Sequence, residues 1–224
     1  MKGKKVSSDD PVSPQGRVEM KFGRTPLVIE TPTDLDALLE DCIKVNPKEL
    51  DKIPYYALLW PSAQGLAKYI HTKRAKLPGL RMIELGCGLA LPSVLAAKHG
   101  ADVVATDFHP GTGPWVRKNA RLNDTVVGFK VYDWNDSFEG KAKVKPAEVV
   151  FGSDLLYDRR HMPALICTID KFTAPGGEAW IADPGRNGLE IFVSGMEKID
   201  WSCELVPVDD IFVMRCRRNK KPRR

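Results

Sequence analysis

The chain of 224 residues is 43% hydrophobic and 28% charged, a balance that supplies one buried core and predicts one domain. No apolar run is long enough to cross a bilayer, and residues 1–16 have no apolar signal segment, so we expect a cytoplasmic protein without a membrane partner. The formal net charge of +5 arises at the end of the chain, where the last ten residues carry seven Lys and Arg and no acid. We expect residues 218–224 to be a basic tail, either disordered or in contact with nucleic acid or an acidic partner.

The cysteines are scattered along the chain, without a Cys-x-x-Cys pair and without a histidine cluster at metal-ligand spacing. This pattern predicts reduced thiols, as is typical of cytosolic proteins, and no bound metal. The five cysteines are Cys42, Cys87, Cys167, Cys203 and Cys216.

Short apolar runs alternate with helical patterns, which predicts an α/β fold with a parallel sheet and helices on both of its faces. The predicted elements are a strand at 81–86, a helix at 90–100, a strand at 102–107, a helix at 110–123, a strand within 126–134, a strand at 147–154, a helix at 159–172, a turn at 175–177, a strand at 178–183, a helix near 187–198, and strands at 201–208 and 210–217. The last two are joined so tightly that they must be antiparallel. Residues 54–217 are expected to form the domain, and residues 1–53 an appended segment on or near the ligand site.

The glycine turn of the first predicted strand, in MIELGCGLALP (82–92), resembles a dinucleotide fingerprint but has Leu91 where the third glycine belongs. Asp107 follows about twenty residues later, the distance expected for a ribose-binding acid. Acids in or beside the strand ends form a rim that suits a ligand with hydroxyls and a positive charge, and S-adenosylmethionine fits this better than a pyrophosphate. The rim acids are Glu84, Asp107, Asp133, Asp154 and Asp183.

Several of these residues have structural alternatives. Asp133, Asp154 and Asp183 are residue types that also form turns and cap helices, and Asp154 stands just before the helix expected near residue 159. Trp60 precedes a proline and either covers the cofactor or packs in the core. Arg186 either contacts the substrate or pairs with a neighbouring acid to anchor its own loop.

Four stretches, IELGCGLALP, VVATD, VYDW and FGSDLLYD, stand in the order and spacing of class I S-adenosylmethionine-dependent methyltransferases, which the chain therefore resembles. PYYALLWPSAQGLAKYI and DLLYD are similar to the family-16 protein-lysine methyltransferases. IADPGR (181–186) is similar to the branch that methylates the β-subunit of electron-transfer flavoprotein, although Ser62-Ala63 replaces its usual glycine pair. The resemblance covers roughly residues 54–200 and implies a Rossmann-like, doubly wound, seven-stranded sheet, mostly parallel with an antiparallel C-terminal strand.

The resemblance implies S-adenosylmethionine as the cofactor, S-adenosylhomocysteine as its product, and a lysine of a protein as substrate, with the flavoprotein β-subunit as first candidate. Asp154 and Tyr157 are the implied catalytic pair, in which Asp154 orients the ammonium and the Tyr157 ring lines its channel. Asp183 and Arg186 are candidates for substrate binding. The candidate cofactor-binding residues are Trp60, Glu84, Gly86, Cys87, Gly88, Asp107, Phe108, Asp133, Trp134 and Ser153.

Two other functions stay open from the sequence. One is methylation of a small molecule or of RNA, although residues 154–157 do not have the prolines of the Asn/Asp-Pro-Pro-Tyr/Phe turn that base-methylating relatives carry. No basic patch interleaved with aromatic residues is present in the body, which argues against nucleic acid as a partner except through the tail. The other is a non-enzymatic regulator or scaffold that binds the cofactor without turnover.

Overall fold

The computed structural model of the chain describes residues 16–34, 36–38, 40, 54–135 and 144–219. Its strands are β1 (Arg17–Phe22), β2 (Thr25–Glu30), β3 (Arg81–Leu85), β4 (Asp102–Asp107), β5 (Gly128–Val131), β6 (Ala147–Ser153), β7 (Thr173–Asp183), β8 (Trp201–Val208) and β9 (Ile211–Arg218). Its α-helices are α1 (Pro61–Thr72), α2 (Leu91–Lys98), α3 (Thr112–Leu122), α4 (Met162–Phe172) and α5 (Gly188–Glu197). Short 3-10 turns occupy Tyr55–Ala57, Arg74–Lys76 and Arg159–His161.

Seven strands form one sheet in the order β5-β4-β3-β6-β7-β9-β8. The pairs from β5 to β7 are parallel, and β9 runs antiparallel to both β7 and β8. The chain moves from β3 to β4 and β5 on one side and then returns to place β6 on the other side of β3. Strand order therefore reverses at β3, and a ligand crevice is expected beyond the carboxyl ends of β3 and β6. The predicted α/β sheet with an antiparallel C-terminal strand is confirmed.

The central strands are near-continuous apolar runs because helices cover both faces of the sheet. Helices α1, α2 and α3 pack on one face around Leu66, Val94 and Val116. Helices α4 and α5 pack on the other face around Leu165 and Phe192. Among the described residues, no helix has both the length and the apolar character that a membrane span requires.

The N-terminal hairpin, β1 and β2, is a separate two-stranded sheet that joins the same core as α1 to α3. Phe22, Leu27 and Ile29 are buried there, so the hairpin packs on the domain and does not form a body of its own. The appended segment expected at residues 1–53 stays a prediction, since most of these residues lie outside the described part of the chain.

Strand β7 starts earlier than expected. The sequence predicts a turn at residues 175–177 before a strand at 178–183, whereas the strand begins at Thr173 directly after α4. Its register with β6 passes from Thr173 opposite Ala147 to Glu178 opposite Val149, so the glycine-containing stretch forms an irregularity inside the strand. Glycine in a strand commonly marks such a bulge, which is why the pattern indicated a break there.

The basic end of the chain is partly folded, which corrects the prediction of a tail from residue 218. Arg215 and Arg217 in β9 each lie 2.7 Å from a carboxylate oxygen of Glu178, and Arg218, the last residue of β9, lies 3.0 Å from Asp170. The pairing of β9 with β7 places Arg215 and Arg217 beside Glu178, a relation that local composition does not reveal. Residues 220–224 lie outside the described residues.

The expectation of reduced thiols was wrong for one pair of cysteines. Cys203 on β8 and Cys216 on β9 are directly opposite in the strand register and form a disulfide. The pairing follows from the hairpin register, because residues thirteen positions apart become cross-strand neighbours. Cys87 and Cys167 have free thiols, and Cys42 lies outside the described residues.

Candidate functional site

The glycine turn after β3 requires its glycines at two positions. Gly86 and Gly88 have φ angles of 58° and 47°, the left-handed region that side chains with a Cβ rarely occupy. A Cβ on Gly86 would lie 2.6 Å from Cδ2 of Leu155, and one on Gly88 would lie 3.1 Å from the backbone oxygen of Tyr56. The turn is therefore closely approached from two sides, by the chain after β6 and by the 3-10 turn before α1.

Asp107, at the carboxyl end of β4, holds the glycine turn in place. Its Oδ2 accepts a hydrogen bond from the Gly88 amide at 3.0 Å, and its Oδ1 accepts one from the His109 amide at 3.0 Å. Burial raises the pKa of the Asp107 carboxyl, and these backbone hydrogen bonds act in the opposite direction. A carboxylate has about four lone-pair directions, so the two amides leave acceptor capacity for the hydroxyls of a ribose.

Glu84 and Cys87, both expected at the cofactor, are buried beneath the turn. The Glu84 carboxylate accepts hydrogen bonds from the Ser93 amide at 3.1 Å and from the Ser93 hydroxyl. Burial raises the pKa of Glu84 to about 8, against the effect of these hydrogen bonds. Burial also raises the pKa of the Cys87 thiol, while its amide donates to the Thr106 carbonyl at 2.9 Å. In this geometry, Glu84 joins β3 to the first turn of α2.

Trp134, one of the candidate cofactor-binding residues, lies beside the glycine turn. Its ring is buried, and the nearest ring atom would be 3.6 Å from a Cβ on Gly86. Its indole Nε1 has no hydrogen-bond partner within the described residues. The neighbouring Asp133 is a turn former, since its Oδ1 accepts from the Asn135 amide at 2.8 Å. A donor left without a partner beside the turn fits a ligand that brings an acceptor.

Trp60, Phe108 and Ser153 occupy the rim of the same region. Trp60 is the partly exposed residue that precedes α1, and its Nε1 donates to the Tyr55 carbonyl at 3.1 Å, so the alternative of a core tryptophan is wrong. Phe108 follows Asp107 and is partly exposed. Ser153 ends β6, one residue before Asp154.

Asp154 lies where the chain leaves β6, with a φ of 58°. Its Oδ1 is 2.7 Å from Nη2 of Arg186, and its Oδ2 is buried with no hydrogen-bond partner in the described part of the chain. Burial raises the pKa of this carboxyl, whereas Arg186 and the Ser62 hydroxyl lower it. Ser62 is close enough to have that effect, yet its hydroxyl does not meet hydrogen-bond geometry with Asp154.

Arg186 is held by two carboxylates. The fully buried Asp183 accepts hydrogen bonds from the amides of Gly185 and Arg186 at 2.9 and 2.8 Å. It also accepts one from Arg186 Nη1 at 3.2 Å. Asp183 is therefore a turn former, and Arg186 anchors its loop by pairing with neighbouring acids, which was the alternative interpretation. A third of its side chain is still exposed at the rim.

Tyr157 stands three residues beyond Asp154 and is 63% exposed. The 3-10 turn that follows is capped by Asp158, whose side chain accepts from the Arg160 amide at 2.9 Å. The suggested capping role of Asp154 is therefore wrong, because a closer acid fills it.

The structure brings most of the predicted residues to one edge of the sheet, beyond β3, β4, β6 and β7, and adds residues that the sequence analysis did not assign. Tyr56 contacts the glycine turn and stacks on His109 with ring centroids 4.5 Å apart. Ser62 faces Asp154 from the first turn of α1. Both stand inside the PYYALLWPSAQGLAKYI stretch, so this stretch was the available signal. No group of three or more potential metal ligands occurs among the described residues.

Comparisons with known proteins show which sequence family the chain matches. A sequence family described as lysine methyltransferase matches residues 37–197. The chain is 29% identical over 171 residues to a histone-arginine methyltransferase, METTL23, of Xenopus laevis, which covers 74% of this chain and 68% of that protein. It is 29% identical over 147 residues to the electron transfer flavoprotein beta subunit lysine methyltransferase of Danio rerio, covering 61% of this chain and 52% of that protein. The chain thus spans about half to two thirds of the length of these relatives.

The fold also resembles a solved methyltransferase. The 16S rRNA N2 G1207 methyltransferase of T. thermophilus, in complex with AdoMet and guanosine, superimposes with a TM-score of 0.66 at 12% identity. The match covers 91% of this chain and 50% of that one. At this identity the likeness concerns the fold.

Proposed function

Because the chain belongs to the lysine methyltransferase family that matches residues 37–197, we propose that it transfers a methyl group from S-adenosylmethionine to a lysine side chain of a protein. The observation that carries the proposal is Asp154, a buried carboxylate beside the glycine turn whose Oδ2 has no hydrogen-bond partner among the described residues. Such an oxygen is costly to bury unless a ligand supplies a donor.

The cofactor site is proposed at the glycine turn. Gly86 and Gly88 provide backbone without side chains, and Asp107 provides acceptors for the ribose hydroxyls. Trp134 provides a flat buried ring whose N–H has no partner in the described part of the chain. When bound, S-adenosylmethionine supplies an electrophilic methyl group on a sulfonium. The chain's own contribution is to hold the acceptor amine in line with that methyl group, about 3 Å away.

Asp154 is proposed to orient the incoming ammonium. A carboxylate next to a lysine raises the pKa of the lysine and so favours the protonated form, which does not react. Asp154 is therefore an orienting group and not a strong base, and water carries the proton away. The exposed ring of Tyr157 lines the entrance with a surface that attracts cations.

The β-subunit of electron-transfer flavoprotein is the first candidate substrate, supported by the DPGR sequence at residues 183–186 and by the similarity to the Danio rerio protein. A second candidate is an arginine side chain of a histone. It is supported by the similarity to METTL23 and by the way Asp154 and Asp183 together hold the guanidinium of Arg186. Nucleic acid remains a proposed partner only for the basic residues 220–224.

We also propose residues 1–53 as an appended segment, a domain that begins at residue 54 and includes all of β9 up to Arg218, and a cytoplasmic location. The free thiols of Cys87 and Cys167 fit that location, whereas the Cys203–Cys216 disulfide is typical of an oxidising compartment. Fractionation of cells that express the tagged chain tests it. Maleimide labelling of the same fractions reports whether Cys203 and Cys216 are bonded there.

Calorimetry and labelled methyl transfer test the proposed function together. We expect binding of S-adenosylhomocysteine with a Kd in the micromolar range, no binding of NAD, and transfer of label from S-adenosylmethionine to a protein band. Binding of NAD without a response to S-adenosylhomocysteine would overturn the cofactor. Binding of S-adenosylhomocysteine without any methyl transfer would favour a non-enzymatic regulator. Label found in RNA or in a small molecule would show that the substrate class is not protein.

A further inference from the structure

Two buried asparagines meet the N-terminal hairpin: Asn119 in helix α3 and Asn123, the C-cap residue that directly follows the helix. Val116 and Ala120 are apolar residues of α3 that are buried beside them. A buried amide side chain must satisfy two donors and an acceptor, so its partners indicate its role.

Both asparagines complete the open edge of β2. Asn123 accepts from the Val28 amide at 2.9 Å and donates to the Val28 carbonyl at 2.7 Å. Asn119 accepts from the Glu30 amide at 2.8 Å and donates to the Glu30 carbonyl at 3.3 Å. Each side chain therefore replaces one residue of a missing neighbouring strand, and the edge of β2 is protected from other partners.

The spacing of the two elements makes this ladder possible. Residues four apart in a helix are about 6 Å apart along its axis, and residues two apart in a strand are about 6.6 Å apart. The two asparagines can therefore form their hydrogen bonds to β2 at the same time. The backbone N–H and C=O groups of successive residues in a strand point to opposite edges of that strand. Those of Val28 and Glu30 therefore both face α3, whereas the Thr31 amide donates to the Gly16 carbonyl.

The two asparagines differ in their remaining donor. The second N–H of Asn123 goes to the Asn119 carbonyl at 2.8 Å, within its own helix. The second N–H of Asn119 goes to the carbonyl of Leu89 at 3.0 Å, in the glycine turn. The same turn is held from the other side by the bond from the Gly88 amide to Asp107.

We infer that Asn119 is a positioning residue for the cofactor. Its side chain fixes the conformation of the glycine turn through Leu89 and couples that turn to the docking of the N-terminal hairpin. The inference rests on the proposed function only in placing the cofactor at this turn. Since coupling between two sites is reciprocal, a ligand at the turn must in the same measure stabilise the docked hairpin.

Asn119→Ala and Asn123→Ala form a matched pair, because each removes the two hydrogen bonds from one asparagine side chain to β2 and one further hydrogen bond to a backbone carbonyl. We expect similar losses of thermal stability in the two variants. The Asn119→Ala variant should lose about 3- to 10-fold in affinity for S-adenosylhomocysteine by calorimetry, as expected for one hydrogen bond, and Asn123→Ala should stay within 2-fold of the wild type. Equal affinities in the two folded variants would overturn the inference.

A measurement on the unaltered chain keeps the inference testable if Asn119→Ala does not fold. Amide hydrogen exchange should slow more at Glu30 than at Val28 when S-adenosylhomocysteine saturates the protein. Only Glu30 is bonded to Asn119, the asparagine that also contacts the glycine turn. Equal slowing at both amides, or none, would contradict the coupling. A wild-type chain that does not bind S-adenosylhomocysteine at all would instead overturn the proposed function.

Discussion

The guanidinium of Arg186 lies 2.7 Å from Oδ1 of Asp154, so the carboxylate proposed to receive the substrate is already paired with a cation of the same chain. The pair leaves Oδ2 of Asp154 without a partner in the described residues and keeps Oδ1 occupied. Asp183 holds Arg186 from the other side. Oδ2 of Asp154 is thus the oxygen that we propose receives the substrate amine, while the contact of Oδ1 with Arg186 keeps the carboxylate oriented.

Asp154→Asn should lower methyl transfer by about 100-fold or more, because the misplacement of a reacting group costs a rate factor on that scale. Asparagine keeps the size of the side chain and tolerates the left-handed backbone that Asp154 adopts. Affinity for S-adenosylhomocysteine should stay near that of the wild type. Asp154→Ala should show the same loss of activity with an added loss of stability, measured by thermal unfolding. Full activity of Asp154→Asn would remove Asp154 from the site.

Arg186→Ala should move the acidic limb of the pH profile of kcat/KM to higher pH. Burial raises the pKa of Asp154 and Arg186 lowers it, so removal of Arg186 leaves burial less opposed and raises the pKa further. The ionised form that orients the ammonium is then lost at a higher pH as the solution is acidified. The substrate KM should rise, with little change in cofactor affinity. Arg186→Lys, which retains the charge, is the control, and identical profiles for all three proteins would contradict the assignment.

Glu84→Gln should flatten the dependence of stability on pH. The pKa of Glu84 is raised to about 8 in the folded chain from an ordinary value of 4.5, so the folded state binds the extra proton between these values. The wild type should therefore lose stability as pH rises through this range, by up to about 1.4 kcal/mol per pH unit from this group. Urea unfolding from pH 5 to pH 8 measures the difference, and parallel curves for the two proteins would contradict it.

Asp107→Ala should weaken the binding of S-adenosylhomocysteine by about 1–3 kcal/mol, through the loss of charge-assisted hydrogen bonds to the ribose and of the bond that holds Gly88. Asp102→Ala is the matched control, since Asp102 is exposed at the opposite end of the same strand. Calorimetry that finds equal affinities for the two variants would leave Asp107 as a turn-forming residue.

Tyr157→Phe should retain more activity than Tyr157→Ala, because the ring and not the hydroxyl is proposed to line the entrance. The side chain is 63% exposed, so neither variant should lose much stability. Steady-state kinetics with one protein substrate measures both variants. Equal losses of activity would assign a role to the hydroxyl.

The succession of strands and helices along the chain and the edge at which the acids gather could be predicted, because alternation and strand ends are local features of the sequence. Asp107 and Asp154 were selected as candidate site residues in this way. The partners of these acids could not be predicted: the pairing of Arg186 with Asp154 depends on how β6 and β7 lie side by side. For the same reason the Cys203–Cys216 bond emerged only from the register of the last hairpin.

Buried polar residues within helices were the other omission. Asn119 stands at helical spacing among apolar residues, and this local pattern gave no indication of a partner eighty-nine positions away. An amide on an apolar helical face is itself a signal, because such a group is rarely buried without partners.

Mass spectrometry of methylated products tests the central claim most directly. The wild type and Asp154→Asn are each incubated with labelled S-adenosylmethionine and one protein substrate. That substrate is the β-subunit of electron-transfer flavoprotein in one set of reactions and histones in the other. The account predicts methyl groups on lysine side chains, formed by the wild type and strongly reduced with Asp154→Asn. Methyl groups on arginine alone, or equal incorporation by the two proteins, would contradict it.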